Sequence, residues 1–421
     1  MNTSTWLSDT EDGSFPQLKK NIETEIVIVG AGMAGTLSAY LLAREGKKVV
    51  LLEKSGIQNS TTSFTTAFIT YDIDTDVSDL IKMFGKEKTK KIWQSGAEAI
   101  DLIEKIVKEE NIDCEFERVS QYVYAENEKE YESLEEESRV AVDIGFTHPL
   151  NKDCQFGFIT SGAMEIPAQA KFHPLKFLVA LKEKAKKYGV EIYQETEVLE
   201  LTNSSKNGKS IITAKTKQGN VSADFCIIST YKPFNNPKEL FAHTGPYVSF
   251  VYELEIPKGA IKYATYLDLK NPYHYMRIDK KSDTHDRMII GGEDHRKEVP
   301  MPDEKNFTAL LDYVKKIMPE LEYRIVQKWS GTLLENIDGL PYIGAYSKKH
   351  PHELACTGFS GNGMQFSAIA AKIFTDRITG KNNPYASLYS PYRGVRPYNF
   401  IKKVIDYVGE FFGGYMKNLF K

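Results

Sequence analysis

A strand, a glycine-rich turn, a helix and a second strand follow one another near the start of this 421-residue chain. Glu25–Val29 is a β-branched run that predicts a short buried strand. Three glycines follow it at GxGxxG spacing: Gly30, Gly32 and Gly35. A helix is expected from Met33 to about Glu45 and a second strand over Lys48–Leu52, with Glu53 at its end. The glycines suit a tight turn, a close backbone approach to a pyrophosphate and close packing of helix on strand, so the unit predicts a dinucleotide site.

The residues after this unit indicate which dinucleotide is bound. Glu53, 18 residues after Gly35, is placed to accept hydrogen bonds from a ribose diol, while the helix N-terminus faces the phosphates. The chain then continues with a polar loop, Ser60–Ala67, and with long helical stretches near 77–110 and 127–143. A nicotinamide-only domain would continue with further βαβ units, so this pattern favours FAD. A plain Ser/Thr loop without a ligand is the alternative.

A second glycine-rich segment lies near the other end of the chain. After the 339–344 sequence Gly-Leu-Pro-Tyr-Ile-Gly, a strand is expected at Glu353–Cys356, then the turn Thr357–Gly363 and a helix over Met364–Ile378. A helix that begins at such a turn forms an anion site. Near the pyrimidine end of a flavin it would stabilise the negative charge of the reduced ring. Together, the two segments predict a discontinuous flavin domain.

Charge and cysteine spacing exclude other classes of protein. With 54 Lys and Arg against 57 Asp and Glu, and no strongly basic half, nucleic acid is not an expected partner. The cysteines form no CxxC or CxH pair, so neither a metal site nor a disulfide framework is expected: Cys114, Cys154, Cys226 and Cys356. The first residues lack the apolar core of a secretory signal, and the cytoplasm is the expected location.

Several motifs together resemble the D-amino-acid-oxidase/glycine-oxidase group of FAD-dependent oxidoreductases, over nearly the whole chain. The similarity is greatest to the branch in which the flavin module usually precedes a Rieske iron–sulfur domain. The motifs are Trp6 with Phe15–Leu18, the glycine fingerprint with Glu53-Lys54, Thr62–Ala67, Gln169–Phe177, Ser229–Phe234, Gly291–His295, Trp329–Gly331 and Asp338–Gly344.

The resemblance implies an α/β fold (α+β overall), with a glutathione-reductase-like Rossmann domain for FAD and an antiparallel-sheet substrate domain. Alternating strands are expected over 247–254, 263–269, 273–278 and 287–291. The implied FAD domain is discontinuous (1–76, 155–245 and 325–395), and the substrate domain covers 77–154 and 246–324. Residues 396–421 are expected to form an amphipathic helix that docks on the chain itself, on a partner or, less favoured, on a membrane surface.

FAD is expected to be noncovalent and to contact residues carried by these motifs. They are Gly30, Gly32, Met33, Ala34, Gly35, Glu53, Lys54, Thr62, Ser63, Thr65, Thr66, Ala67, Val198, Thr230, Gly339, Gly358, Gly361, Asn362, Gly363 and Met364.

Two departures from the resembled branch concern function. No CxH or CxxH pair occurs, so the Rieske ligand pattern is absent. Leu333 also stands where relatives similar to glycine oxidase carry the arginine that clamps a substrate carboxylate. Glu293, Asp294 and His295 are the candidate catalytic residues, with a polar loop as the alternative. Arg277 is a candidate replacement clamp, with a structural salt bridge as the alternative.

The expected reaction is hydride transfer from a small polar substrate, an amine or a hydroxylated molecule, to flavin N5. Oxygen or an electron-acceptor protein would reoxidise the flavin. Two further functions stay open: an electron-transfer subunit with a separate iron–sulfur partner, and a non-catalytic flavin-binding scaffold.

Overall fold

The computed structural model describes residues 3–206, 209–234, 244–297 and 303–394, and it contains two large sheets. The first has the order β16-β17-β10-β1-β2-β7, with β9 on the edge of β10 and β8 on β9. Its strands are β1 (Ile22–Val29), β2 (Val49–Leu52), β7 (Glu191–Tyr193), β8 (Glu200–Lys206), β9 (Lys209–Lys215), β10 (Asn220–Ile228), β16 (Tyr342–Ala345) and β17 (Glu353–Thr357).

The centre of this first sheet is parallel and covered on both faces. Strands β17, β10, β1, β2 and β7 run in one direction. Ile26, Val27 and Ile28 of β1 are fully buried, as is usual for a parallel sheet enclosed by other layers. This enclosure explains why residues 26–29 form a continuous apolar run.

The second sheet has the order β15-β11-β14-β13-β12-β4-β6-β3, with β5 paired to β6. All of its pairings are antiparallel except β12 with β4. Its strands are β3 (Phe68–Ile69), β4 (Glu117–Ala125), β5 (Leu150–Asn151), β6 (Gly162–Lys171), β11 (Thr244–Pro257), β12 (Thr265–Leu267), β13 (His274–Lys280), β14 (His285–Arg296) and β15 (Arg324–Asn336).

The helices confirm the main helical predictions. They are α1 (Thr5–Ser8), α2 (Met33–Arg44), α3 (Val77–Phe84), α4 (Lys86–Glu110), α5 (Glu128–Asp143), α6 (Pro174–Lys187), α7 (Asp303–Ile317), α8 (Gly363–Ile378) and α9 (Ala386–Tyr389), with 3-10 turns at Ile57–Asn59 and Thr61–Phe64. The helices that follow the two glycine-rich turns, α2 and α8, pack against each other. Both turns therefore lie at the same edge of the first sheet.

The fold class is confirmed, but the sheets divide the chain differently from the expected domain boundaries. Strands β3, β6 and β15 fall largely within the ranges expected for the FAD domain, yet they pair in the second sheet. Hydrogen bonding decides this membership, because β6 pairs with β4 along most of its length. The expected helix over 396–421 lies outside the described residues.

Candidate functional site

A single cleft joins the two glycine-rich turns to the second sheet. It holds about 1440 Å³ of empty space, including its open mouth. One end is formed by the fingerprint turn and the other by the turn before α8. The wall opposite the first sheet carries Gln121, Ser249, Tyr273, Tyr275 and Leu333. The cleft is therefore elongated and bounded by both sheets.

The three fingerprint glycines, Gly30, Gly32 and Gly35, are needed for different reasons. A Cβ atom at Gly35 would lie 1.9 Å from the Gly30 carbonyl oxygen, and one at Gly30, where φ is +101°, would lie 2.6 Å from the Ser229 carbonyl oxygen. Packing within the protein therefore requires both. A Cβ atom at Gly32 would meet only the Ser60 and Thr62 hydroxyls, at 3.5 Å. Protein contacts do not require glycine at 32, and the backbone is open towards the cleft, as a bound diphosphate needs.

Glu53 holds the fingerprint turn by its carboxylate. One oxygen accepts a hydrogen bond from the Ala31 backbone N–H (2.7 Å) and the other from the Ser55 N–H (3.0 Å). These two contacts fix the carboxylate at the end of β2, beside the turn. The ribose contact stays a prediction, and the hydrogen bonds add a structural role that the sequence did not indicate.

The loop over 63–67 is anchored through consecutive carbonyl groups. Each carbonyl accepts a hydrogen bond from a side chain distant in sequence. The pairs are Ser4 Oγ to Ser63, Trp329 Nε1 to Phe64 (3.1 Å), Trp6 Nε1 to Thr65 (2.6 Å), and Arg277 Nη1 to Thr66 (2.9 Å) and Ala67 (3.1 Å). Because the carbonyls are held from behind, Thr65 and Thr66 line the cleft from the other side of the loop.

Arg277 is an interior residue and does not line the cleft, contrary to its expected role as a carboxylate clamp. Its side chain is 1% exposed. Besides the loop carbonyls it donates to the Phe172 carbonyl (3.1 Å) and to Asp279 from Nε (3.2 Å) and Nη2 (2.9 Å). Trp6 stacks between the guanidinium groups of Arg277 and Arg287. The structure supports the alternative of a structural salt bridge.

The turn before α8 meets an acidic segment that sequence reasoning missed. Asp74 accepts a hydrogen bond from the Gly361 N–H (2.9 Å), and its own N–H donates to Asn362 Oδ1 (3.3 Å). Asn362 occupies the N-cap of α8 but makes no side-chain capping bond. Asp72 also lines the cleft, and burial together with the nearby Asp76 and Asp74 raises its pKa well above the usual range. No motif marks these aspartates; they are found only from their place in space.

About half of the expected FAD contacts line the cleft: Gly32, Met33, Ala34, Thr62, Thr65, Thr66, Gly358, Gly361, Asn362, Gly363 and Met364. The others lie behind or beside it: Gly30, Gly35, Glu53, Lys54, Ser63, Ala67, Val198, Thr230 and Gly339. The Ser63 hydroxyl donates to the Ile57 carbonyl, Val198 is a core residue, and Lys54 is exposed. The residues that line the cleft are those in a position to hold FAD directly.

The three consecutive candidates on β14 point to different neighbours. Glu293 Oε1 is 3.1 Å from His274 Nε2, whose other ring nitrogen is 2.7 Å from Asp268. These two carboxylates raise the pKa of His274 to about 9 against the opposing effect of burial. His295 stacks on Phe250 and lies 3.2 Å from Asn306 Nδ2. Of the three, only Asp294 lies beside cleft-lining residues.

The carboxylate oxygens of Asp294, a partly exposed residue, are buried, and the residue does not line the cleft. Neither of its carboxylate oxygens has a hydrogen-bond partner of good geometry among the described residues. Desolvation raises its pKa to about 7, while the nearby hydroxyls of Ser249 and Tyr273 favour the ionised form. The Ser249 hydroxyl is in turn 2.7 Å from the Tyr275 hydroxyl. Asp294 therefore contacts the cleft through hydroxyl groups.

The ionisable side chains that line the cleft are acidic. Among the described residues that line it, Asp72 and Asp74 are the acidic side chains, and none is Lys, Arg or His. Leu333, the residue in the expected clamp position, also lines it. A substrate carboxylate would meet no cationic side chain on this part of the wall.

Within the described ranges, no group of three His, Cys, Asp or Glu residues is arranged to hold a metal ion. No described helix is both long and apolar enough to cross a bilayer.

The fold and the cleft are those of an FAD-dependent oxidoreductase. The family described as DAO, FAD dependent oxidoreductase, matches residues 25–377, and the chain belongs to it.

Individual relatives agree with this assignment. The chain is 30% identical over 405 residues to YhfW of Bacillus subtilis (strain 168), named as a Rieske 2Fe-2S iron-sulfur protein; 96% of this chain and 77% of YhfW are covered. It is 21% identical to the gamma-glutamylputrescine oxidoreductase of Escherichia coli (strain K12), with 87% and 86% covered. Glycine oxidase from Geobacillus kaustophilus has a similar fold (TM-score 0.73, 19% identity, 89% and 100% covered).

The cleft fits FAD at both ends. The N-cap residues of the two helices, Gly32 and Asn362, make no side-chain capping bond, which leaves backbone N–H groups at both helix ends available to anionic groups of a ligand. The Met33 N–H donates to the Thr62 hydroxyl (3.3 Å). The threonines Thr61, Thr62, Thr65 and Thr66 also line the cleft. These groups would hold the diphosphate and the edge of the flavin ring.

Proposed function

We propose that the chain oxidises a small amine that lacks an α-carboxylate. Bound FAD supplies the chemistry, because its N5 accepts a hydride from the carbon next to the amine nitrogen. The observation that carries the proposal is the charge of the cleft: the described lining contains Asp72 and Asp74 and no cationic side chain.

The electrostatics favour a cation over an amino acid. An α-carboxylate brought into the cleft without a cationic partner loses part of its hydration, and no cationic side chain replaces it. An ammonium group, by contrast, is attracted by aspartates. A bound cation would also lower the raised pKa values of Asp72 and Asp294, because it stabilises their ionised forms.

The proposal is tested with matched pairs of an amine and the amino acid that carries the same side chain, each added anaerobically to the flavin-loaded protein. We expect the amine to reduce the flavin about 100-fold more efficiently, equivalent to about 2.7 kcal/mol. Equal or better reduction by the amino acid contradicts the proposal. A hydroxylated molecule that reduces the flavin faster than any amine also contradicts it.

Leu333 offers a matched gain-of-function test. Leu333→Arg places a cation on the cleft wall where relatives similar to glycine oxidase carry their clamp. We expect it to improve reduction by the amino acid and to weaken reduction by the amine. Leu333→Met, which keeps the volume without adding charge, is the control and should leave the preference unchanged.

A second candidate is electron transfer from the flavin to a separate iron–sulfur protein. The similarity to YhfW supports it. Reoxidation of the photoreduced protein separates the two: rapid reaction with oxygen favours an oxidase. Slow reaction with oxygen but rapid reaction with an iron–sulfur acceptor favours the electron-transfer function.

A further inference from the structure

A chain of hydroxyl groups runs from the cleft to a buried carboxyl group. The Tyr275 ring lines the cleft, and its hydroxyl lies 2.7 Å from Ser249 Oγ. Ser249 is only 5% exposed, and its hydroxyl is a neighbour of the Asp294 carboxylate. Asp294 itself is not part of the cleft lining. No hydrogen bond of good geometry joins Ser249 to Asp294, and a small movement of the Ser249 hydroxyl would complete a path for a proton from Tyr275 through Ser249 to Asp294.

An irregularity in the second sheet creates this arrangement. The pairing of β11 with β14 shifts between Val248 opposite His295 and Phe250 opposite Gly292. Ser249 on one strand thus faces two residues, Glu293 and Asp294, on the other, and Glu293 adopts a φ of +54°. Such bulges redirect side chains and occur often beside active sites. The shift gives adjacent carboxylates different surroundings: Glu293 lies beside His274, and Asp294 lies near the Ser249 hydroxyl.

The burial of Asp294 has no structural explanation in the described residues. A buried carboxyl group without a good hydrogen bond is costly, and native structures keep few of them. The charged and titratable groups around it are Asp74, which raises its pKa, His274, which lowers it, and the hydroxyls of Ser249 and Tyr273. A group held near neutrality in this way is suited to exchange protons.

We propose that Asp294 is the base that deprotonates an ammonium substrate, with Tyr275 and Ser249 as the proton relay. The inference rests on the proposed function, because it needs an amine as substrate. An amine arrives mostly as ammonium at neutral pH, and its nitrogen lone pair must be free before the neighbouring C–H bond can lose a hydride.

The transfer balances without an oxidant or reductant. An ammonium N–H bond breaks and its proton binds the Tyr275 oxygen, while the Tyr275 proton moves to Ser249 and the Ser249 proton moves to Asp294. The products are a free amine and a neutral carboxylic acid. Burial raises the pKa of Tyr275 above its usual range, so the phenol stays protonated and releases its proton only as it receives another.

The test is the pH dependence of anaerobic flavin reduction by an amine, in the wild type and in Asp294→Asn. We expect the wild-type rate to rise through one ionisation near pH 7, set by Asp294. In Asp294→Asn that ionisation should disappear and the rate should follow the substrate's own ammonium pKa instead. The loss at neutral pH should be about 100-fold, as is typical for a missing general base. Asp283→Asn removes an exposed carboxylate from the loop before β14 and is the control.

Two further variants allow the proposal to be tested even if Asp294→Asn does not fold. Ser249→Ala and Tyr275→Phe each interrupt the relay and leave the carboxyl group in place. We expect both to slow reduction most strongly at neutral pH and to recover towards the wild-type rate where the free amine predominates.

Thermal unfolding of the flavin-free protein gives a readout apart from activity. The folded-state pKa of Asp294, about 7, lies above its unfolded value near 3.8, so its contribution lowers stability as pH rises from about 4 to 7 and levels off above that. Asp294→Asn removes this cost. It should raise Tm relative to wild type most at about pH 8 and change it least at about pH 3, below the pKa of an unfolded aspartate.

The outcomes separate the two claims. If no amine reduces the wild-type flavin, the proposed function and this inference fail together. If amines reduce the wild type and the relay variants with the same pH profile, only the inference fails. A rate that drops by the same factor at every pH shows a structural role and also overturns it.

Discussion

Gly32 and Gly35 belong to one motif, but the structure predicts opposite consequences for their substitution. At Gly35 an added Cβ would lie 1.9 Å from the Gly30 carbonyl oxygen, a backbone atom that cannot move aside without shifting the turn. Gly35→Ala should therefore destabilise the flavin-free protein by about 1–3 kcal/mol, as overpacking does. At Gly32, φ is −73° and the added Cβ would lie 3.5 Å from two hydroxyls. Gly32→Ala should change stability by less than about 0.5 kcal/mol.

FAD binding should respond in Gly32→Ala even though stability does not. The new methyl group would stand where the backbone meets the diphosphate, and losing one charge-assisted hydrogen bond costs about 1.5–3 kcal/mol. We therefore expect Kd for FAD to rise about 10- to 100-fold in Gly32→Ala. Gly32→Val should bind FAD more weakly still.

The assay combines thermal unfolding of the flavin-free protein with a fluorescence titration of FAD, for each variant. Gly394→Ala is a control, since nothing lies within 4 Å of its Cβ position. The reasoning is refuted if Gly32→Val binds FAD with the wild-type Kd. It is equally refuted if Gly32→Ala loses as much stability as Gly35→Ala.

Four further predictions concern other parts of the molecule. Glu53→Ala should weaken FAD binding by about 1–3 kcal/mol in the same titration, because a charged hydrogen-bond acceptor is lost; unchanged flavin content would contradict this. Acid precipitation should release FAD into the supernatant, because burial raises the pKa of the Cys356 thiol to about 12 and leaves it unreactive; flavin retained in the pellet would show a covalent bond. Arg277→Met should lower the free energy of unfolding, measured in urea, by about 3 kcal/mol, because Asp279 loses one buried ion-pair partner. A variant of normal stability that loses only substrate reduction would restore the clamp hypothesis. Deleting 399–421 should cause aggregation or flavin loss if this segment docks on the chain itself; intact folding with altered association, measured by size-exclusion chromatography, would show a partner role instead.

Local patterns were sufficient to predict the elements that bind the dinucleotide. The strand before Gly30, the helix after it and the helix over 363–378 each follow from apolar periodicity and glycine position, which depend on neighbours in sequence. The position of the two turns at one edge of the sheet was also predictable, because each turn connects a strand of the same parallel sheet to a helix.

The positions of single side chains in the second sheet were not predictable in the same way. Strand alternation places Arg277 on the same face as Tyr275, but it does not show that the 63–67 loop covers one and leaves the other in the cleft. Likewise, three consecutive titratable residues gave no sign of the shift in pairing that separates Glu293 from Asp294. Asp72 and Asp74 follow a two-residue strand and belong to no motif.

A crystal structure of the protein with bound FAD tests the central claim most directly, namely that the cleft between the two sheets is the flavin site. We predict electron density for the diphosphate at Gly32 and the α2 N-terminus, and for the ring between the Thr65–Thr66 segment and the turn before α8, with Tyr275 and Leu333 across from it. Density for the ring outside this cleft, or a cationic side chain brought into the cleft beside Leu333, would contradict the account.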